Sequence, residues 1–371
     1  MSTNKTHLPD TLLLTIIVTL IVVGLFAFLS ASFGLLTRNG VGWQSVIFSQ
    51  LGFGLAGGLI MGLLAYSIPL QYIRRYALYI FILAILVCLL VFVPGIGMKA
   101  GGASRWIVLW GISFQPSEFL KLALVIFIST WAIAAGEEIK SIRYGLLPFI
   151  GIISVICIIM LAQPDTGTLL VMFMTSLSLF MIAGGKIKHV IALLGIAILL
   201  LGVLALARPY VRERIRTFID PSHDPLGSSY QVRQSLIAIG SGGATGRGFG
   251  KSLQKFQYLP EPIGDSIYSV LSEEFGFLGS SVILLLFLSL FLRGLHVSAR
   301  APTRFHRLLG SGIAIMITAQ VFLNIGAMVG IIPITGITLP LISHGGTALM
   351  FTLASLGLLL QISRYKIVNK V

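Results

Sequence analysis

The chain has 371 residues, of which 56% are hydrophobic and only 10% charged, with a formal net charge of +14. Its mean hydropathy of +0.98 excludes an ordinary soluble globular domain. Because nothing in the sequence resembles a nucleic-acid-binding module, the positive charge is better matched to anionic lipid head groups than to DNA or RNA.

Ten apolar segments approach the roughly 20 residues that a membrane-spanning helix needs. They lie at about 11–36, 46–68, 76–94, 115–135, 145–161, 167–184, 188–206, 267–292, 308–330 and 341–362. The first segment is too long for a signal peptide and lacks a small-residue cleavage site, so it is interpreted as an uncleaved span. Cys88 and Cys157 fall inside spans and indicate no disulfide framework. The sequence predicts an all-α polytopic membrane protein, with one domain over residues 1–371.

Basic residues in the connections predict the orientation. Alternate connections are rich in them: Arg74, Arg75, Lys140, Arg143, Lys186, Lys188, Arg293, Arg300, Arg304 and Arg307. The termini add Lys5, Arg364, Lys366 and Lys370 on the same side, whereas the short opposite connections hold Arg38, Lys99 and Arg105. By the positive-inside rule both termini are cytoplasmic, and residues 207–266 form one large extracytoplasmic loop between spans 7 and 8.

Spans 4, 6, 8 and 10 all begin on the outer side, and each begins with polar residues. These are Glu118 and Lys121, Asp165, Asp265, and Ser343 with His344. Their N-terminal ends bring positive helix dipoles and free N–H groups to one outer region, which is how anion-binding sites are built. Three-residue spacing places Glu118 and Lys121 on one helix face, where they can pair.

The long loop contains two notable segments. "ARPYVRERIRTFIDP" places Arg208, Arg212 and Arg216 in one row beside an apolar stripe, which predicts an amphipathic helix on the outer membrane surface. The arginines either anchor the helix to head groups or approach the phosphates of a lipid substrate. "GSGGATGRGFGKS" lacks a Walker glycine at Thr245 and a preceding strand, which excludes nucleotide binding. We expect a flexible loop there, one that holds a ligand or lets the Asp265 segment move.

Four ordered stretches resemble the SEDS family (shape, elongation, division and sporulation), and its FtsW branch more than RodA. They are "GGASRWIVLWGISFQPSEFLKLALV", "QPDTGTLLV", "ATGRGFGKSLQKFQYLPEPIGDSIYSVLSEEFGFLG" and "NIGAMVGIIPITGITLPLISHGGTALM". The resemblance implies a peptidoglycan glycosyltransferase that polymerises lipid II outside the bacterial cytoplasmic (inner) membrane, in septal synthesis at division. It also implies a class B penicillin-binding protein transpeptidase and other divisome membrane proteins as partners. A divalent cation, Mg²⁺ or Mn²⁺, is compatible with this chemistry.

Carried across from the family, the catalytic carboxylate is Asp265, acting as general base in an inverting β-1,4 transfer. Arg105, Glu118 and Lys121 fall on further family motif positions, and we expect them at the substrate. Three departures from the usual family pattern involve four residues: Ile263-Gly264 replaces His-Thr, Ser266 replaces Phe, and His344 replaces Tyr. The carboxylate itself is retained.

Each candidate residue also has a structural interpretation. Asp265 and Asp165 both sit where a helix N-cap is expected, and Asp165 is also a candidate metal ligand. Glu118 and Lys121 form either an internal pair or part of a substrate or metal site. His344 is either a proton carrier or a hydrogen-bonding substitute for Tyr. Glu273 and Glu274 are expected to orient basic partners, with Glu261 as a further supporting carboxylate.

Two rival functions remain open from the sequence. A transporter that flips lipid II would use buried charges such as Glu118 and Lys121, but it should carry polar residues along the full depth of its spans. A non-catalytic division scaffold would need no particular base at position 265.

Overall fold

A computed structural model describes residues 8–37, 43–100, 103–109, 112–220, 224, 227 and 229–365. Lys5, Arg38, Lys366 and Lys370, used above for orientation, lie outside these residues. The α-helices in the described ranges are α1 Thr11–Ser32, α2 Trp43–Ile47, α3 Gly57–Ser67, α4 Leu70–Arg75, α5 Ala77–Leu89, α6 Pro116–Ala135, α7 Leu147–Ala162, α8 Thr166–Ile182, α9 Ile187–Ala207, α10 Pro209–Ile219, α11 Tyr230–Ser241, α12 Gln254–Gln257, α13 Ile267–Ala299, α14 Arg304–Met328 and α15 Gly346–Ser363.

Eight helical segments in the described part of the chain are long and apolar enough to cross a membrane. They are Thr11–Leu35, Gln44–Ser67, Pro116–Lys140, Ile142–Ala162, Ile187–Ala207, Ile267–Ala299, Arg304–Met328 and Gly346–Ser363. Two shorter apolar helices, Ala77–Phe92 and Thr166–Ile182, fall on the third and sixth predicted spans. The predicted class, an all-α polytopic membrane protein, is confirmed.

A small antiparallel sheet between α5 and α6 was not predicted. It consists of β1 Gly97–Ala100, β2 Ala103–Leu109 and β3 Ile112–Phe114, in the order β1-β2-β3. In its register Ile107 lies opposite both Gly97 and Phe114. β2 carries Arg105, and β3 leads directly into the start of α6. The sheet therefore holds one candidate site residue at the same end of the bundle as Glu118.

The core of the bundle is formed by α14 and α15, the two most buried spans, whereas α9 is the most exposed. Glycines let α15 approach α3 closely. A Cβ on Gly357 would lie 2.2 Å from the Gly62 carbonyl oxygen, and one on Gly58 would lie 2.6 Å from a Leu353 methyl group. Such small-residue contacts are a common way for helices to associate in a bilayer.

The helix that follows Asp265 is broken near its start. Gly276 has φ +64° and ψ −165°, so residues 267–275 form a short half-helix before the main span. The carbonyls of Glu273 and Glu274 accept hydrogen bonds from the N–H groups of Arg247 (3.0 Å) and Gly248 (2.9 Å). Beyond the break, the N–H of Phe277 donates to Gly243 O at 2.8 Å.

The glycine-rich loop at 240–252 therefore has a structural task. Its backbone N–H and C=O groups form hydrogen bonds with the C=O and N–H groups that the break in α13 leaves without helical partners. Irregular backbone inside a membrane bundle requires such partners. The expectation of a flexible, ligand-holding loop is wrong for this part of it, because the N–H groups of Arg247 and Gly248 are already bonded to protein.

Gly246→Ala should destabilise the fold more than Gly250→Ala. Both glycines have positive φ, +81° and +77°, so either alanine is strained by about 1 kcal/mol. At Gly246 the new Cβ would also lie 2.2 Å from the Glu274 carbonyl oxygen, whereas Gly250 has nothing within 4 Å. Thermal unfolding of the two purified variants in detergent tests this. Equal unfolding midpoints would show that the loop does not pack tightly against the break.

Candidate active site

Asp265 lies in an irregular segment between α12 and α13. The segment turns at Glu261, whose carbonyl accepts the N–H groups of Gly264 (3.0 Å) and Ser266 (3.3 Å). The Asp265 carboxylate is partly buried and accepts hydrogen bonds from Gln231 Nε2 (3.0 Å) and Ser266 Oγ (3.4 Å). Ser266, which departs from the usual family residue, thus contacts the carboxylate directly. Gln231 was not among the site residues predicted from the sequence.

The backbone around Asp265 is held by groups from two other parts of the chain. Asn324 in α14 donates to Asp265 O (2.9 Å) and to Ile337 O (2.8 Å). Ser343 Oγ donates to Gly264 O at 2.7 Å, and the His344 N–H donates to Ile263 O at 2.7 Å. Ser343, predicted to bind substrate, instead positions the segment that carries the carboxylate. Asn324 was also missed, although a lone amide inside an apolar span is a signal that could have found it.

The environment of Asp265 tunes its protonation. Burial, and secondarily the charge of Glu261, raise the pKa of Asp265 to about 6, while the hydrogen bonds from Gln231 and Ser266 act in the opposite direction. A carboxyl group with a pKa near the working pH is charged at neutral pH and still basic enough to take up a proton. Asp265 therefore has the protonation behaviour of a general base.

The arginine that α10 turns toward this region is Arg214. Its Nη1 donates to Thr166 Oγ1 (3.2 Å) at the start of α8 and to Thr335 O (3.3 Å). Burial and then the charge of Arg105 lower the pKa of the Arg214 guanidinium, against the opposing charges that include Asp165 and Asp265. The site thus brings one partly buried arginine near both aspartates.

The predicted arginine row does not face this region. Arg208, Arg212 and Arg216 are all exposed. Arg212 donates to the carbonyls of Ala205 (3.2 Å) and Leu206 (2.7 Å) at the end of α9. The reason is helical register: α10 buries Val211 and Thr217, which share a face with Arg214 rather than with the row. The predicted amphipathic helix exists, and its exposed arginine row suits anchorage to head groups, while contact of the row with substrate phosphates stays a prediction.

Arg105 and Asp165 organise the start of α8. Arg105 donates to Gln163 O (3.3 Å) and to Pro164 O. Asp165 caps α8 through the Thr168 N–H (3.3 Å) and accepts from Ser117 Oγ (3.3 Å) at the start of α6. The cap interpretation of Asp165 is therefore satisfied, and its oxygens serve protein donors.

Asp165 does not fit a metal site. No group of three or more His, Cys, Asp or Glu side chains that could hold a metal ion occurs among the described residues. A divalent cation prefers several oxygen ligands at once, and Asp165 supplies a single carboxylate already engaged in capping. A cation requirement stays a prediction from the sequence resemblance.

Glu118 and Lys121 form an internal pair. Both are buried, with Lys121 Nζ at 2.9 Å from Glu118 Oε2 and at 2.5 Å from Gln320 Oε1 in α14. Gln320 Nε2 in turn donates to Thr338 O at 2.9 Å. The pair thus ties α6 to α14 and to the segment before α15, which favours the structural interpretation over direct contact with substrate.

His344 and the glutamates of α13 also have internal partners. The His344 ring stacks on Phe28 at 5.9 Å, and burial lowers its pKa despite a hydrogen bond to the Val46 backbone. A neutral imidazole at pH 7 favours the hydrogen-bonding role over the proton carrier. As the sequence predicts, Glu273 approaches a basic side chain (Arg247, 3.6 Å), and so does Glu274 (Lys255, 2.7 Å).

A cavity of about 260 Å³ lies between α10, α11 and the segment after α14, one hydrogen bond away from Asp265. Arg214 and Gln231 line it together with apolar residues of α11 and of the segment after α14, including Leu236, Ile332 and Pro333. Gln231 is the link, since its amide also donates to Asp265. A cavity with a few convergent polar groups beside a carboxyl group of raised pKa is a typical small-molecule site.

Comparisons with known proteins agree with this architecture. The family model FTSW_RODA_SPOVE, described as "Cell cycle protein", matches residues 10–367. The chain is 39% identical to stage V sporulation protein E of Bacillus subtilis, over 98% of this chain and 99% of that protein. It is 38% identical to a probable peptidoglycan glycosyltransferase FtsW of Geobacter sulfurreducens, over 85% and 83% of the two chains.

The fold matches a solved structure over nearly its whole length. A chain from a peptidoglycan synthase complex that coordinates polymerization and crosslinking superposes on this chain with a TM-score of 0.79. That chain is 29% identical, and the match covers 97% of this chain and 99% of the other. The predicted resemblance is confirmed, and the chain belongs to the FtsW, RodA and SpoVE family of cell cycle proteins, the SEDS family.

Proposed function

We propose that this chain is the peptidoglycan glycosyltransferase that polymerises lipid II into glycan strands, with Asp265 as general base. The observation that carries the proposal is the Asp265 carboxyl group, whose pKa is raised to about 6 and which Gln231 connects to a cavity that the partly buried Arg214 also lines. The family resemblance and the names of the relatives support the same class of enzyme.

The reaction joins a sugar hydroxyl of the acceptor to the anomeric carbon of a lipid-pyrophosphate donor. Asp265 takes the hydroxyl proton as the new C–O bond forms, and the bond from the anomeric carbon to the pyrophosphate oxygen breaks with its electron pair. The α-linked donor yields a β-linked product in one inverting displacement, which requires a base and no covalent intermediate. General bases typically contribute ~10²–10⁴-fold.

The leaving pyrophosphate needs positive charge. In the proposal Arg214 provides it, because a guanidinium group binds phosphate oxygens. Gln231 and Asn324 act as positioning residues, the first on the carboxylate and the second on its backbone.

The proposal includes a membrane location, an orientation and partner proteins. The enzyme lies in the bacterial cytoplasmic membrane with both termini inside and Asp265 outside, as the basic connections favour. Its proposed partners are a class B penicillin-binding protein transpeptidase and other divisome membrane proteins, with a role in septal synthesis. The similar chain taken from a peptidoglycan synthase complex supports assembly with a partner.

The purified chain with its transpeptidase partner, given lipid II and a divalent cation, should form glycan polymer on a gel. An absence of polymer from a complex that is folded and assembled would contradict the proposal. Fluorescent lipid II in sealed vesicles separates the rival function, because movement across the bilayer without polymer would favour a transporter.

Arg214→Gln should lower the polymerisation rate by ~10²–10³-fold, the effect typical of losing one donor that stabilises developing charge. Arg212→Gln is the matched control, since Arg212 is exposed and bonds only to carbonyls of Ala205 and Leu206 among the described residues. Initial rates of glycan formation at saturating lipid II measure both variants. If the two substitutions slow the reaction equally, the assignment of Arg214 to the pyrophosphate is wrong.

A further inference from the structure

A second cavity lies at the opposite end of the bundle from Asp265. It has a volume of about 620 Å³ and lies where α4 meets the start of α14 and the end of α15. Asp265 precedes the first residue of α13 and this cavity lies beyond its last, so the 33-residue helix separates the two sites. The part of α13 beyond the break at Gly276, residues 277–299, alone extends on the order of 35 Å at 1.5 Å per residue. The cavity is therefore independent of the catalytic site.

The lining of this cavity is basic and polar. Its charged members are Arg74 and Arg75, in the last turn of α4, and none of the described residues that line it is Asp or Glu. Neither arginine forms an ion pair with a carboxylate within the described ranges. Gln71, Thr130, Thr303 and Tyr365 add hydrogen-bonding groups to the wall. This combination attracts an anion.

Two further features point toward the same ligand. The 25-residue helix α14 begins at the cavity, so the positive dipole of its first turn lies near it, with the His306 N–H capped by Thr303 Oγ1 at 3.2 Å. The side chain of His306, which lines the cavity, is 9% exposed, and its Nδ1 has no hydrogen-bond partner in the described structure. A buried polar atom without a partner needs one, and a phosphate oxygen can accept from it.

The surroundings indicate a lipid rather than a free ion. Tyr72, Tyr76 and Tyr79 on α4 and α5 are all exposed, as in the aromatic belts that lie at the level of lipid head groups. Beyond them α5 presents exposed apolar side chains along which acyl chains can lie: Leu78, Ile82, Leu83 and Leu86. We propose that this cavity binds the phosphate group of an anionic phospholipid, held by Arg74, Arg75 and His306.

Native mass spectrometry of the detergent-purified protein, titrated with phosphatidylglycerol, tests the proposal. Arg74→Gln/Arg75→Gln should weaken phosphatidylglycerol binding by ~10-fold or more, the loss expected for two charge-assisted contacts. Lys186→Gln/Lys188→Gln is the matched control, because it removes the same charge from exposed residues that do not line the cavity. The control should retain the lipid as wild type does.

A second variant keeps the test informative if the double substitution misfolds. His306→Phe preserves an aromatic ring beside Tyr365 but removes the unpartnered nitrogen, and it should also weaken phosphatidylglycerol binding. Inorganic phosphate that competes only when both arginines are present would identify the free anion as an alternative occupant of the same phosphate site. Equal lipid retention by wild type and the arginine variant, or equal loss in the lysine control, would overturn the proposal.

Discussion

Asp265→Asn should reduce glycan polymerisation by ~10²–10⁴-fold while leaving the protein folded, because the amide cannot accept the hydroxyl proton. Asparagine is nearly isosteric, and its side-chain oxygen can keep the hydrogen bond that Gln231 donates to the carboxylate. The loss should therefore appear in the rate and not in the thermal unfolding midpoint or in assembly with the partner. Product length and amount on gels, with lipid II as substrate, measure it.

Glu138→Gln is the control for this substitution. Glu138 is an exposed carboxylate in the connection after α6, at the opposite end of that helix from Glu118, and it should keep the wild-type rate. A scaffold protein would predict that both variants support equal synthesis. Polymer at the native rate from a folded Asp265→Asn protein would exclude the base and leave the scaffold hypothesis.

The pH profile gives an independent test of the same carboxyl group. Because burial raises the pKa of Asp265 to about 6, the base is protonated below that pH and charged above it. The polymerisation rate should thus rise with pH through about 6 and then level off. Glu261 contributes to the raised pKa, so Glu261→Gln should shift this acid limb to lower pH. An unchanged limb in that variant would mean that another group controls the rate.

Much of the fold could be predicted because bilayer thickness and backbone satisfaction leave few solutions for an apolar chain. The sequence also predicts that the polar N-terminal ends of the even-numbered spans lie close together. The hydrogen bond from Ser117 to Asp165 shows this for the starts of α6 and α8. The break at Gly276 was not predicted, because a single glycine is also tolerated inside an unbroken helix and only the packing of Gly246 against the Glu274 carbonyl reveals it.

The candidate site was predicted in part. Asp265 stood out as a carboxylate at the mouth of a span, and its segment is held from several sides. Arg214 was not singled out from the sequence because the two faces of one short helix are only a few residues apart. Arg212 and Arg214 are equally basic in sequence, and only burial of Val211 and Thr217 decides which face turns inward. Which face of the helix turns inward depends on tertiary packing, which cannot be read from the local sequence.

The segment that precedes Asp265 is anchored by a fully buried ion pair. Lys255 and Glu274 have side chains that are 0% exposed, with Lys255 Nζ 2.7 Å from Glu274 Oε1. Ser30 of α1 joins them, donating to Glu274 at 2.6 Å and lying 3.1 Å from the ammonium nitrogen. The aromatic rings of Phe33 and Phe256 lie within 6 Å of the same nitrogen, at 5.7 and 5.5 Å. This cluster joins α12, α1 and the half-helix of α13.

Lys255→Met should therefore destabilise the protein by ~3–5 kcal/mol, because it leaves the Glu274 charge buried without its cation. Lys255→Met/Glu274→Gln should be less destabilising than the sum of the single changes, since the glutamine can still bond Ser30 without a buried charge. Thermal unfolding of the four proteins in detergent measures the coupling. The exposed pair Lys140 and Glu137, 2.5 Å apart, is the control, and breaking it should leave the unfolding midpoint unchanged. Additive effects at the buried pair would show that its two charges are stabilised separately, and that their ion pair does not anchor the segment before Asp265.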